Sequence, residues 1–321
     1  MNKNLLVLGG IASVILTIIL GLNLRKSKKT ALTVGIVQTI SHPALDAARN
    51  SAIARLKELL KNEVSVVVQN AEGSILTAQN IATSYHNNSR IDAIITIGTL
   101  ATQAVANIEK EKPIIYCAVT DPKSLGLVHD KTNACGMTDA AETKSAISLI
   151  KSLMPSIKNV AILYNQSEPN SASAVQEIDQ SISESSLNSI HISVNNEAEI
   201  NAATNIAVQK ADLVVVPTDN TVACVLQSVA KICLKNKKPL LVCYDTELYP
   251  GILAYVGGVN YSMSGSLAGE ISVKLLKKLQ KPSDILIIKP DTQKIVMNKK
   301  AVELLGINIP ENLKIKVEIK D

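Results

Sequence analysis

The stretch "VGIVQTISHPALDAARN", residues 34–50, leaves an apolar run at Gln38 and then places Gln38, His42 and Asp46 within nine residues. The run belongs to "LTVGIVQ" (32–38), which is continuously apolar rather than alternating. That is the mark of a strand buried on both faces. The following "ALDAARNSAIARLKELL" (44–60) carries a helical period. A strand of this kind feeding straight into a helix is the unit of a parallel sheet covered by helices. Its polar residues then fall at the carboxyl rim of the sheet, where ligands bind in open α/β folds.

The unit recurs along the chain. Further strands are expected at 64–69, 92–98, 113–119, 159–165, 189–194, 212–217, 239–244 and 252–258, with helical stretches between them such as "SASAVQEIDQSISESSL" (171–187). The fold class is α/β. Four βα units run to about residue 125, "DKTNACGMTDAAETKS" (130–145) interrupts, and a new series starts at 159, which divides the chain into two lobes.

With 321 residues, 46% apolar and 19% charged, the chain has room for two ordered cores. Residues 5–22 carry no charge and, at about 1.5 Å per residue, would span about 27 Å, the dimension of a membrane anchor or secretory segment. No Ala-x-Ala-like cleavage site follows, which favours an uncleaved anchor. Arg25, Lys26, Lys28 and Lys29 lie behind it and only Lys3 before it, an arrangement that by charge alone keeps the remainder cytoplasmic. Those five cations account for the whole formal excess of +5, because residues 1–30 contain no acid. The neutral remainder argues against a nucleic-acid partner.

The five cysteines have neither CxxC nor Cys/His spacing and read as small buried hydrophobes, with no metal and no cofactor implied. There is no GxSxG, GxGxxG, P-loop or HExxH, and the four histidines are scattered, so nothing in the chain points to an enzyme. Polar clusters recur instead at strand ends: "GTLATQ" (98–103), "VTDPKSLGLV" (119–128), "YNQSEPNS" (164–171), "PTDNTV" (217–222), "YDTELYPG" (244–251) and "YVGGVNYSMSG" (255–265). Singly, these residues suit structural roles. Thr99, Ser171 and Asp219 read as helix N-caps, and Pro43, Pro122 and Pro169 as turn or first helical positions.

Together they suit a zwitterionic ligand. Amides and hydroxyls at Gly98 and Thr99 suit a carboxylate, and Asp121, Glu168, Asp219 or Asp245 an ammonium group. With Phe and Trp absent, Tyr164, Tyr244, Tyr255 and Tyr261 put four of the seven Tyr at such ends, where a ring flanks an apolar ligand part.

The strings "VGIVQ…HPALDAAR", "QNAEGS", "GTLATQA", "AVTDP…GLV", "LYNQSEPNS", "PTDNTV" and "GGVNYSMSGSLAG" are collinear over about residues 32–280. In order and spacing they resemble the ABC-transporter substrate-binding proteins of the tryptophan/tyrosine-type family. The resemblance implies a type I periplasmic-binding-protein fold, two doubly wound parallel-sheet lobes joined by three hinge crossovers. Lobe one would comprise 31–137 plus about 261–290, and lobe two 138–260 plus about 291–321. It implies a cleft with Gln38, His42, Gly98, Thr99, Leu100, Thr120 and Asp121 on one wall. Tyr164, Asn165, Glu168, Asn170, Thr218, Asp219 and Asn220 form the other, with Asp245 and Tyr255 nearby.

It further implies an extracytoplasmic receptor that hands an amino-acid-like solute to a membrane permease driven by a separate ATPase. On delivery of solute from outside, the resemblance outweighs the charge count around residues 5–22. The chain departs from the family pattern in reading "GVNY" for "GVDY", with Asn260 for Asp, "NACG" for "NVTG", and "NSAIARL" where Gly-Phe is usual. The solute would be Trp or Tyr by the resemblance, with a non-aromatic amino acid or other small polar solute as the alternative because Phe and Trp are absent. A ligand-sensing ectodomain is the alternative of a different class. A transcription regulator of this fold would need an N-terminal helix-turn-helix, where this chain has its apolar stretch.

Overall fold

The computed structural model describes residues 31–127, 132–290, 293–314 and 317–320. The anchor expected at 5–22 lies outside these. Among the described residues no helix is long and apolar enough to cross a membrane.

The first lobe is built on five parallel strands in the order β2-β1-β3-β4-β5. These are β1 (Leu32–Gln38), β2 (Val64–Asn70), β3 (Ala93–Ile97), β4 (Ile114–Val119) and β5 (Ala134–Thr138). β3 and β4 are buried at every residue, as continuous apolar runs require when helices cover both faces. Helix α1 (Pro43–Leu60) packs on one face, and α2 (Ile75–Asn87) and α3 (Thr99–Ile108) on the other.

The second lobe holds a seven-stranded sheet in the order β12-β11-β10-β9-β8-β6-β7. Its strands are β6 (Asn159–Asn165), β7 (Asn188–Val194), β8 (Leu213–Val216), β9 (Leu240–Val242), β10 (Ala254–Gly257), β11 (Lys294–Asn298) and β12 (Val317–Lys320). One face carries α4 (Thr143–Leu153) and α5 (Pro169–Glu184). The other carries α6 (Glu197–Lys210), α7 (Asn220–Cys224) and α8 (Leu226–Lys235).

Each of the nine expected strands has its counterpart, and three strands were not expected. β5 lies inside the segment read as an interruption. At Gly136 a Cβ would sit 1.9 Å from the Tyr116 carbonyl oxygen, so this short edge strand lies flush on β4 only because the residue is glycine. β11 and β12 are short and interrupted by charge, which hides them from an apolar-run reading. They also correct the expectation of wholly parallel lobes, because β11 pairs antiparallel with β10. The reason is topological. β10 runs toward the boundary between the lobes and β11 starts from it, so the two point in opposite directions.

The chain passes between the lobes three times: after β5, after β10, and before β11. The second passage delivers α9 (Tyr261–Leu276) to the first lobe, where it lies against α1. A Cβ at Gly265 would be 1.9 Å from the Ala48 carbonyl oxygen, and one at Gly269 2.9 Å from that of Ala52. Two glycines one turn apart thus let the helix backbones touch. The first and third passages lie side by side, with Thr138 N donating to Ile288 O at 2.9 Å and Gln293 Nε2 to Ala140 O at 2.6 Å.

Gly265→Ala should therefore force α9 off α1, because the obstacle is backbone and cannot rotate away. A loss of about 2 kcal/mol is expected, read as a lower urea midpoint at unchanged m-value. An unchanged midpoint would show that the helices separate freely.

Candidate functional site

In each sheet the strand order reverses once, between β1 and β3 and between β6 and β8. The connections after these strands leave in opposite directions and open a crevice at their carboxyl ends. The polar clusters after β1, β3, β6 and β8 are the residues at these two switch points.

In the second lobe the switch point is an acid-centred network. Glu168 precedes α5, and its carboxylate accepts from Asn170 Nδ2 (2.9 Å), Asn220 N (3.1 Å), Asn220 Nδ2 (2.7 Å), Thr221 N (2.8 Å) and Thr221 Oγ1 (2.5 Å). Asp219 caps α7 by accepting from Val222 N at 2.8 Å, and also from Asn165 N and Ser171 Oγ, each at 2.6 Å. Free amides at helix starts suit carboxylates placed beside them. Burial, and then the neighbouring Glu168 charge, push Asp219 up to about 7 against the pull of its three donors. Asn170 Nδ2 also donates to Thr218 O at 2.8 Å, and Thr218 Oγ1 to Cys243 O at 3.3 Å. Asn170 Oδ1 is buried and has no partner among the described residues.

The first lobe spends most of its rim side chains on itself. Gln38 Nε2 donates to Ile40 O and Asp46 Oδ1, and its Oε1 accepts from Arg49, so both ends of the amide brace the strand-to-helix turn. Gln38 and Asp46 thus serve the turn itself, whereas His42 belongs to the cleft. Gly98 has φ 92°, and a Cβ there would lie 2.4 Å from Thr39 Oγ1. Its amide donates to Cys117 O, and Thr99 Oγ1 accepts from Thr120 N at 3.3 Å. Gly98, rather than Thr99, is the N-cap of α3, and Ser171 lies within the first turn of α5, where Glu168 is the cap. Leu100 is buried, and Asp121 accepts from Lys123 N and Ser124 N in a local turn.

Among the described residues, one bond between side chains joins the two switch points. His42, the N-cap of α1, places Nε2 3.2 Å from Asn220 Oδ1. The amide of Asn220 is oriented by donating Nδ2 to Glu168, so Oδ1 must accept and His42 Nε2 carries the proton. Burial holds the imidazole below its usual value, opposed by Asn220, Glu168 and Asp46. Beside this bridge lies a cavity of about 330 Å³. Lobe one contributes His42, Ala44 and Ala47, lobe two Tyr244, Asp245, Glu247 and Tyr249, and the second passage Val259, Asn260 and Tyr261. Asp245 is held above the usual carboxylate range by burial, eased by Gly258 N–H and the Tyr255 hydroxyl.

Of the expected cleft residues, His42 and Asp245 line this cavity. Asn165, Glu168, Asn170, Thr218, Asp219 and Asn220 form the network behind the bridge. Two tyrosines are placed elsewhere. Tyr164 is directed at the α4/α5 face, because it follows Ile162 by two along the strand, and its hydroxyl lies 3.3 Å from His191 Nδ1. Tyr255 is buried against Asp245 and Lys320, and away from the cavity lining. Tyr244 and Tyr261 do line the cavity, with Tyr249 and Glu247 from the quoted "YDTELYPG". Asp139 was missed: it directly follows β5, the strand hidden in the interruption, and bonds to Thr120 and Tyr261.

The pattern of the ABC transporter substrate binding protein family matches residues 33–318, and the chain belongs to that family. It is 29% identical over 292 residues to a tyrosine-binding protein of Clostridioides difficile, covering 89% of this chain and 84% of that one. The ABC domain from Streptococcus pneumoniae in complex with L-Trp superposes with a TM-score of 0.80 at 29% identity, over 89% of this chain and 100% of that chain. A ligand-free, open substrate-binding protein with adhesive properties from Clostridium difficile gives 0.64 at 31% identity, over 90% and 99%.

Glu168→Gln should cost about 3 kcal/mol, since an amide NH2 would replace an oxygen that faces only donors. Chemical denaturation followed by circular dichroism reads this directly. A variant as stable as the parent would contradict the network.

Proposed function

We propose that this chain is the extracytoplasmic solute-binding component of an ABC importer. It closes its lobes around an amino-acid-like molecule and delivers it to a membrane permease driven by a separate ATPase. The single observation that carries the reading is the His42–Asn220 bond, which joins the two switch points beside a cavity walled by both lobes and the second passage. Three tyrosines and two carboxylates line that cavity, a set suited to a ligand with an apolar or planar body and a cationic end. The ligands named for the relatives, tyrosine and L-Trp, support the same chemistry. The higher TM-score to the L-Trp complex than to the open structure, at nearly equal identity, supports a closed arrangement of the lobes.

Lobe one is 31–137 with about 261–290, and lobe two 138–260 with about 291–321; the three passages serve as hinges. Residues 5–22 tether the protein to the membrane, leaving both lobes outside. The ligand set is His42, Asp245, Tyr244 and Tyr261, with the start of α3 and the Glu168–Asn220 network as the walls that meet on closure. The protein binds without transforming its ligand.

A thermal-shift screen of the amino acids, followed by calorimetry, tests this. At ligand 100-fold above Kd, linkage stabilises the bound form by about 2.7 kcal/mol. The stabilising set should include tyrosine or tryptophan, and His42→Ala should weaken binding at least tenfold. Absence of a shift with every amino acid would overturn the reading.

A further inference from the structure

Asp139 follows β5 at the first passage between the lobes and is 3% exposed. Its Oδ1 accepts from Thr120 Oγ1 at 3.0 Å and its Oδ2 from the Tyr261 hydroxyl at 3.2 Å. Thr120 follows β4, and its carbonyl accepts from Thr138 Oγ1 at 2.8 Å. Tyr261 is the first residue of α9, at the end of the second passage, and lines the cavity. One buried carboxylate thus ties two of the three passages, and the end of β4, to one residue of the cavity wall. No ion pair to it occurs among the described residues, so its two hydroxyl donors are what hold its charge.

We propose that Asp139 is a positioning residue for the cavity: its ionised carboxylate fixes the Tyr261 side chain in the wall and couples the first two passages to ligand binding. This rests on the solute-binding reading above. The ionised group accepts two hydrogen bonds, one at each oxygen. A protonated carboxyl turns one oxygen into a donor, so either Thr120 or Tyr261 loses its acceptor. Burial pushes Asp139 up to about 6 despite the two donors, which brings that exchange into mildly acidic conditions.

Its direct neighbours Cys117 and Tyr261 do not titrate in its place. Cys117, on β4, is pushed up to about 12 by burial and by Asp139 itself, and Tyr261 is held well above its ordinary value by burial. Tyr244 and Asp245 face Tyr261 from the loop after β9. His42 and Asp245 line the same cavity and Asp219 lies in the network behind the bridge, so their titrations must be separated from that of Asp139.

The test is calorimetry of L-tyrosine and L-tryptophan binding to the purified protein between pH 5 and 8, for the parent, Asp139→Asn and Tyr261→Phe. One unit below its midpoint, about a tenth of Asp139 is ionised, so parent affinity at pH 5 should be about tenfold below that at pH 7.5. Both variants should lose this step. A parent without a step, or a step that survives in either variant, overturns the proposal, the latter assigning it to another group such as His42, Asp219 or Asp245.

A ligand-free arm decides the matter independently. The folded-state value of Asp139 lies above its unfolded value of about 3.9, so the folded form holds the proton more tightly. Parent stability should therefore fall, relative to Asp139→Asn, as pH rises from about 4 through about 6. A difference that stays constant over that window also overturns the proposal. If neither amino acid binds at any pH, the solute-binding reading fails, and the ligand-free arm alone judges Asp139.

Discussion

A buried carboxylate with no cation beside it must be surrounded by donors, and Glu168 meets that demand with five. Those donors come from the starts of two helices that follow different strands, so satisfying one charge draws the ends of β6 and β8 together. The same requirement dictates the orientation of Asn220. With its NH2 committed to Glu168, its carbonyl is left facing the other lobe, and His42 takes it. The contact between the lobes is thus a consequence of electrostatics inside one of them.

The two rims solve the same problem differently. Lobe one meets its polar needs locally: Gln38, Asp46 and Arg49 close on one another, and Thr99 and Thr120 bond across neighbouring strand ends. Lobe two concentrates two acids at helix starts, and Asp219 carries the electrostatic cost of standing next to Glu168. Buried acids thus lie on one wall and hydroxyls and amides on the other.

The passages between the lobes contribute more than connection. Ile288 and Gln293 bind the third passage to the first, and Asp139 links the first to Tyr261 at the end of the second. α9 is seated on α1 by Gly265 and Gly269, which joins the second passage to the helix capped by His42.

Much of this was legible in the chain. Continuous apolar strands such as "LTVGIVQ" and "DAIITIG" announce burial on both faces, and so helices on both sides of parallel sheets, because local burial pattern and pairing type are physically coupled. The strand-end position of His42, Glu168 and Asp219 was equally readable, since a polar residue directly after an apolar run has nowhere else to lie. Three strands escaped because their apolar runs are short and interrupted by polar or charged residues.

Tertiary structure alone decided which rim residues face a cavity and which are consumed by neighbours. Gln38, Tyr164 and Tyr255 carry the same side-chain chemistry as residues that line binding sites, and nothing local distinguishes them. A hydrogen bond is satisfied by whichever partner folding brings within reach, and for Tyr164 that partner, His191, is 27 positions away. For Asp139 and Tyr261 the separation is 122 positions, and for His42 and Asn220 it is 178, distances over which sequence carries no signal of proximity.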